Sequence, residues 1–251
     1  MLAQLKPPAI IAHRGASAYS PENTLSAFKL AVEQQADAIE LDAKLCSTGE
    51  VVVIHDATLE RTTNGTGTVG DTTFSLLRQL DAGSWYGENY IGEGIPTLEE
   101  VFEVIGDQVP INIELTNYTS IRDALPEKVA ALVKRHNLAN NVFFSSFHPV
   151  PLSRVSYALP EVPRALLALS GFRGWLARNI IAWFVSHQAI QPPYSMVTKQ
   201  LIRSAHRKNK WVNCYTVNDG EVMRRLFGWG IDGIFTDNVP LARQVRDKMQ
   251  A

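Results

Sequence analysis

Two short apolar runs in this chain each end in histidine, Ala9-Ile10-Ile11-Ala12-His13 and Val51-Val52-Val53-Ile54-His55, and the acidic run Ile39-Glu40-Leu41-Asp42 stands between them. Histidine exchanges protons near neutrality, so two of them can act as base and acid on opposite sides of a reacting bond. Glu40 and Asp42 are two apart, which in a strand puts both side chains on one face. Two carboxylates buried together are costly unless a cation shares them. Glu114, near the end of the apolar run 111–115, is a third carboxylate that would complete an all-oxygen donor set. Such a set suits Mg²⁺ or Ca²⁺ better than zinc. The plainer reading makes these acids surface charges or arginine partners, and the apolar residues flanking each one argue against it. Arg14 offers a planar fork for phosphate oxygens, or equally for orienting a carboxylate.

The elements that must hold these residues read as alternating strands and helices, the pattern of βα units around a parallel sheet. Apolar runs occur at 9–13, 38–42, 51–55, 111–115, 142–146, 164–169, 189–192, 211–217 and 233–237. An eight-stranded barrel needs one fewer. Run 189–192 is the weakest because it ends in proline, and the connection from Asp42 to Val51 is too short for a crossover helix, so the sequence leaves open which run is outside the barrel. In a barrel the chemistry sits at the C-terminal strand ends, where the two histidines fall. Ser20-Pro21 reads as a helix start ahead of Leu25, Phe28, Ala31 and Val32. Thr97 with Glu100 reads as a capping box, and Asn218 with Glu221 as a weaker one. Leu125, Val129, Leu132 and Val133 mark an amphipathic helix. The glycine-rich stretch 56–96 breaks the alternation and is expected to be a small insertion over the barrel mouth.

The 251 residues, 45% hydrophobic and 20% charged, suffice for one barrel-sized domain spanning 1–251. A net charge of −1 leaves no electrostatic footprint for nucleic acid. Cys46 and Cys214 lack metal-ligand spacing. The N-terminus makes a poor signal peptide, so a cytoplasmic location is expected. The aromatic-rich segment containing Phe172, Trp175, Trp183 and Phe184 is too short to span a bilayer. Gly65 to Gly70 fits G-x-G-x-x-G only literally, because no strand-to-helix junction surrounds it. His136, His187 and His206 read as structural, and His148 as a rim or helix-capping residue.

Further motifs run in order along nearly the whole chain: His13-Arg14-Gly15 with Pro21-Glu22-Asn23-Thr24, Glu40-Leu41-Asp42, His55-Asp56, Arg61-Thr62-Thr63-Asn64-Gly65-Thr66-Gly67, Ile95-Pro96-Thr97-Leu98-Glu99-Glu100, Ile113-Glu114, Ser146-Phe147, Thr216-Val217-Asn218, and Thr236-Asp237 with Pro240. With these the chain resembles the glycerophosphodiester phosphodiesterases, TIM-barrel enzymes related to phosphatidylinositol-specific phospholipases C. The resemblance implies an α/β (β/α)8 TIM barrel with a small insertion subdomain over its C-terminal mouth. It implies metal-dependent hydrolysis of glycerophosphodiesters to sn-glycerol 3-phosphate and an alcohol. It also implies His13 and His55 as general acid and base, Arg14 on the phosphate, and Glu40, Asp42 and Glu114 on the metal. By the same analogy a glycerol hydroxyl serves as internal nucleophile, giving a cyclic phosphate that water opens.

Two positions depart from the family pattern. Thr116 stands where a lysine is common, so one phosphate-facing cation is expected to be missing. Tyr215 stands where tryptophan often precedes Thr-Val-Asn and keeps an aromatic wall for substrate. Two alternatives remain at this point: a lysophospholipase D-like enzyme that docks the Phe172 to Phe184 segment on a membrane, and a non-catalytic phosphodiester-binding protein.

Overall fold

The computed structural model describes residues 5–116, 120, 122–168 and 186–250. Its elements, in chain order, are β1 (Ala9–Ala12), α1 (Leu25–Glu33), β2 (Ala38–Leu45), β3 (Val51–Val53), α2 (Phe74–Leu77), α3 (Leu98–Ile105), β4 (Ile111–Leu115), α4 (Leu125–Arg135), β5 (Val142–Ser146), α5 (Pro149–Ala158), β6 (Arg164–Leu167), β7 (Ala189–Gln191), α6 (Lys199–His206), β8 (Trp211–Cys214), α7 (Gly220–Gly228), β9 (Gly233–Thr236) and α8 (Val239–Gln250). Eight strands run parallel in the order β1-β9-β8-β7-β6-β5-β4-β2, and β1 pairs with β2 to close a TIM barrel.

The strand outside the barrel is β3. It pairs antiparallel with the upper half of β2, Ala43 opposite Val53 and Leu45 opposite Val51, as the return arm of a hairpin. The short connection from β2 allows nothing else. Run 189–192, despite its proline, is a barrel strand, because Pro192 lies just past the last paired residue. His13 therefore follows a barrel strand as expected, whereas His55 reaches the mouth from the hairpin. The Ile54 amide donates to the Asp42 carbonyl at 3.0 Å, which ties that arm to the level of Asp42.

Parallel strands are covered on both faces, so nearly every strand residue is buried. Side chains such as Ile10, Ile39, Leu41, Ile113 and Phe144 pack outward against the helices. Ala9, Ile11, Ala38, Phe143, Ala165, Ala189 and Phe235 fill the barrel interior. A third apolar cluster, with Val52, Ile54, Leu59, Val69, Leu77 and Ile95, lies beneath the 56–96 excursion.

Helix starts differ from the sequence reading in two places. The N-cap of α1 is Thr24, whose hydroxyl accepts from the Ala27 amide, and Ser20 and Pro21 precede the helix. Residues between them serve the site instead: Asn23 takes a left-handed φ of 58° and binds Asp42. Similarly, Asp219 rather than Asn218 caps α7, because the Asn218 amide is engaged with Asp237. The Thr97–Glu100 capping box of α3 forms in full. The helix read from Leu125 to Val133 is α4. Among the described residues no helix is long and apolar enough to cross a membrane. The segment from Phe172 to Phe184 lies outside the described residues.

Candidate active site

Strand alternation sets the inward residues of β2 as Glu40, Asp42 and Lys44, and the register continues this row: Glu40 lies opposite Asn112, and Asp42 opposite Glu114. The carboxylates of Glu40, Asp42 and Glu114 come within 4.8 Å of one another. Glu40 and Asp42 are buried and Glu114 is half-buried. Burial, then the charges of Asp42 and Glu114, push the Glu40 carboxyl well above its ordinary range. Burial also raises Asp42, but Arg14, His55, Asn23 and Lys44 outweigh it and hold this carboxyl low. A carboxylate held ionised beside one that resists ionising is a cluster short of positive charge. Its all-oxygen donors fit a hard divalent cation.

The turn after β1 aims the next residues at this cluster. Arg14 at φ 57° and Gly15 at φ 83° are successive left-handed residues, and the Arg14 amide donates to Glu40 Oε2 at 2.9 Å. A Cβ on Gly15 would lie 2.7 Å from the Ala27 backbone, so this turn admits only glycine. The Arg14 guanidinium donates to Glu22 Oε1 at 2.8 Å. Its Nε forms an ion pair with Asp42 Oδ2 at 3.2 Å without hydrogen-bond alignment.

Each histidine is anchored at Nδ1 by an aspartate. His13 Nδ1 lies 2.7 Å from Asp237 Oδ1, and His55 Nδ1 lies 2.6 Å from Asp56 Oδ1. With an ionised partner Nδ1 is the donor, which leaves Nε2 as the proton-accepting nitrogen. Asp237 is in turn held by Ser17 Oγ at 3.0 Å and Asn218 Nδ2 at 2.5 Å. Although burial raises its pKa, the bond and charge of His13, then Asn218 and Ser17, leave it below the ordinary aspartate range. Arg61 holds Asp56 through Nε at 2.6 Å and pulls its pKa far down. Arg61 also grips both oxygens of Glu22 at 2.8 Å. The chain His55–Asp56–Arg61–Glu22–Arg14–Asp42 thus joins the excursion to the acidic cluster.

A cavity of about 260 Å³ opens at the barrel mouth. His13, Arg14, Glu40, His55, Glu114 and Tyr215 all line it, so the structure brings together the residues singled out from sequence, with Asp42 in the same acidic cluster. Tyr215 stacks edge-on with Phe147 and donates its hydroxyl to the Ala168 carbonyl at 2.8 Å, forming an aromatic wall.

Residues 13–241 match the pattern of the glycerophosphoryl diester phosphodiesterase family. This chain belongs to that family. It is 39% identical over 232 residues to a glycerophosphodiester phosphodiesterase of Caldanaerobacter subterraneus, covering 91% of this chain and 93% of that protein. It is 33% identical over 245 residues to one of Bacillus altitudinis, covering 96% and 99%. Among solved structures it superposes with a TM-score of 0.90 on an Oleispira antarctica phosphodiesterase in complex with the product sn-glycerol-3-phosphate. That match has 30% identity and covers 98% of this chain and 99% of the other.

Within this family site, Thr116 has a cationic partner that the sequence reading did not name. Thr116 is met from β2: Lys44 Nζ donates to Thr116 Oγ1 at 2.8 Å and to its carbonyl at 3.0 Å, a buried ammonium that lies outside the lining of the mouth cavity. Burial lowers the pKa of this ammonium, while Asp42, Glu114 and Asp56 oppose the shift. Lys44 was legible in principle, since alternation puts it on the face of Glu40 and Asp42. The role of Asp237 was not: its motif was visible, but it lies 224 positions along the chain from the His13 it anchors. The remaining histidines have other partners. His148 Nδ1 caps α5 by accepting from Val150, His136 pairs with Glu99, His206 with Asp232, and His187 with Lys210.

Proposed function

We propose that this chain hydrolyses small glycerophosphodiesters to sn-glycerol 3-phosphate and an alcohol, using a divalent cation and a histidine pair. The observation that carries this reading is that His13 and His55, each anchored at Nδ1 by an aspartate, line one cavity together with Glu40 and Glu114. Glu40, Asp42 and Glu114 are the residues that would hold the cation, Mg²⁺ or Ca²⁺ by their oxygen donors. When bound, such an ion supplies positive charge against the phosphate.

Phosphodiester hydrolysis needs a proton removed from the attacking hydroxyl and one delivered to the departing alkoxide. The two Nε2 atoms are suited to these tasks, one imidazole as base and the other as acid. Arg14, paired with Glu22 and Asp42, brings a fixed guanidinium to the cavity wall beside the phosphate. Tyr215 contributes an apolar ring against the carbon skeleton of the substrate. Residues 56–96 act as the cover of the mouth: Arg61 bridges to Glu22, and Ser26 Oγ donates to Glu93 Oε2 at 2.8 Å.

The deciding experiment measures glycerol 3-phosphate released from glycerophosphocholine with Mg²⁺, Ca²⁺ or EDTA, for the wild type and for His13→Ala and His55→Ala. Release that stops with EDTA and with either substitution is expected. Turnover that survives all three overturns the mechanism, and binding without turnover overturns the hydrolase reading. Lysophosphatidylcholine turned over faster than glycerophosphocholine would replace the substrate class.

A further inference from the structure

The barrel interior carries polar side chains beside the acidic cluster that neither the anchors nor the carboxylates account for. Asn112 donates through Nδ2 to Ser145 Oγ at 2.9 Å. Its Oδ1, both amide atoms of Gln191 and both amide atoms of Asn213 are buried with no hydrogen-bond partner among the described residues. Gln191 is wholly buried at 0% exposure. It ends β7 in register with Leu167, and the register of β7 with β8 places Asn213 beside it. Gly233, opposite Asn213, makes room for that amide: a Cβ there would lie 2.8 Å from Asn213 Oδ1.

A buried amide that lacks partners weakens the fold, and a leucine of similar size would suit the surrounding Ala165, Ala189, Phe143 and Phe235 better. Of these amides Gln191 and Asn112 line the mouth cavity, as do His13, Glu40 and Glu114. The same lining includes the apolar side chains of Phe147, Leu167 and Phe235. A small carbon chain bearing hydroxyl groups would complete hydrogen bonds with the amides and rest its carbons on these apolar side chains.

We propose that Gln191, assisted by Asn112, reads the free hydroxyls of the glycerol half of the substrate, and so selects polyol phosphates over simple alkyl phosphates. This rests on the phosphodiesterase reading for the place of the phosphate. A site built to bond a hydroxyl rejects the analogue that lacks one, because its own polar groups stay unpaired.

The test titrates the Mg²⁺-loaded protein calorimetrically with sn-glycerol 3-phosphate and with n-propyl phosphate, which keeps the chain length and phosphate but lacks the hydroxyls. The wild type should prefer glycerol 3-phosphate by roughly tenfold or more. Gln191→Leu should reduce this preference below about threefold by weakening glycerol 3-phosphate alone, with propyl phosphate unchanged and an equal or higher Tm. Gln191→Met serves the same purpose if the leucine variant does not fold. A retained preference, an equal loss of both ligands, a lowered Tm with unchanged preference, or a wild type that binds the two alike each overturns the assignment. A wild type that releases no glycerol 3-phosphate from any diester overturns the hydrolase reading instead, while the two titrations still decide the role of Gln191.

Discussion

Replacing Asp237 by asparagine keeps the shape of the side chain and removes its charge. The carboxylate lies 2.7 Å from His13 Nδ1 and its pKa sits below the ordinary aspartate range, so it is ionised near neutral pH. A hydrogen bond to a charged partner is worth roughly 1.5–3 kcal/mol, and each 1.36 kcal/mol is a factor of ten in rate. Asp237 is 31% exposed, so water takes up part of the lost interaction and the lower half of that range applies. The variant should lose about 10- to 40-fold in kcat for glycerol 3-phosphate release. The asparagine amide can also turn its NH₂ toward Nδ1, forcing the proton onto Nε2, where it blocks the base. KM should stay within about threefold, because Asp237 does not line the mouth cavity. Ser17→Ala removes one of the groups holding Asp237 without touching Nδ1, and should cost less than about threefold. A kcat within twofold of wild type for Asp237→Asn, or equal losses in the two variants, would refute the role of Asp237 as the orienter of His13.

Thr116→Lys should lower the Tm by roughly 4–8 °C, since it forces a second ammonium into the buried space occupied by Lys44 Nζ, at about 2 kcal/mol. The double exchange Lys44→Thr with Thr116→Lys should regain most of that loss, and thermal unfolding of the three proteins checks both points. Gly15→Ala should destabilise by about 2–4 kcal/mol in denaturant titration, because it combines a φ of 83° with a contact that nothing can relieve. Acid unfolding reports on Asp56: a carboxylate depressed by Arg61 contributes stability above its unfolded pKa of about 3.9 and loses it as pH falls toward the folded value. Asp56→Asn should therefore show a shallower loss of Tm below about pH 4 than the wild type. Mg²⁺ at a hundred times its Kd should stabilise by about 2.7 kcal/mol and EDTA should reverse it, whereas Glu40→Gln should respond to neither.

The barrel was legible because strands buried on both faces must be apolar throughout, and apolar runs are what a sequence displays most plainly. The same rule explains the ambiguity over the ninth run. β3 is as apolar as a barrel strand because Val51 and Val53 pack on the main core while Val52, with the following Ile54, packs into the separate cluster under residues 56–96, a fact of tertiary contact that no local pattern encodes. The carboxylates were legible for a related reason: acids set into apolar runs two residues apart have no inexpensive structural explanation. What lay beyond the sequence is the pairing of distant residues. Ser20-Pro21 reads as a helix start by local propensity, yet the chain spends Glu22 and Asn23 on Arg61, Arg14 and Asp42, which delays α1 to Thr24. Asn218 is likewise drawn from capping α7 to holding Asp237. In the first case the site takes the residues just after the expected cap, and in the second it takes the expected cap itself. At Asn218 the tertiary bond to Asp237 thus outweighs a capping bond worth about 1 kcal/mol. Glu22 and Asn218 both belong to the contacts that fix the histidines, Glu22 reaching His55 through Arg61 and Asp56, and Asn218 reaching His13 through Asp237. The symmetry that the chain displays as two histidine-ended runs is thus realised by unlike means: a barrel strand end with its anchor near the far terminus, and a hairpin arm with its anchor in the next residue.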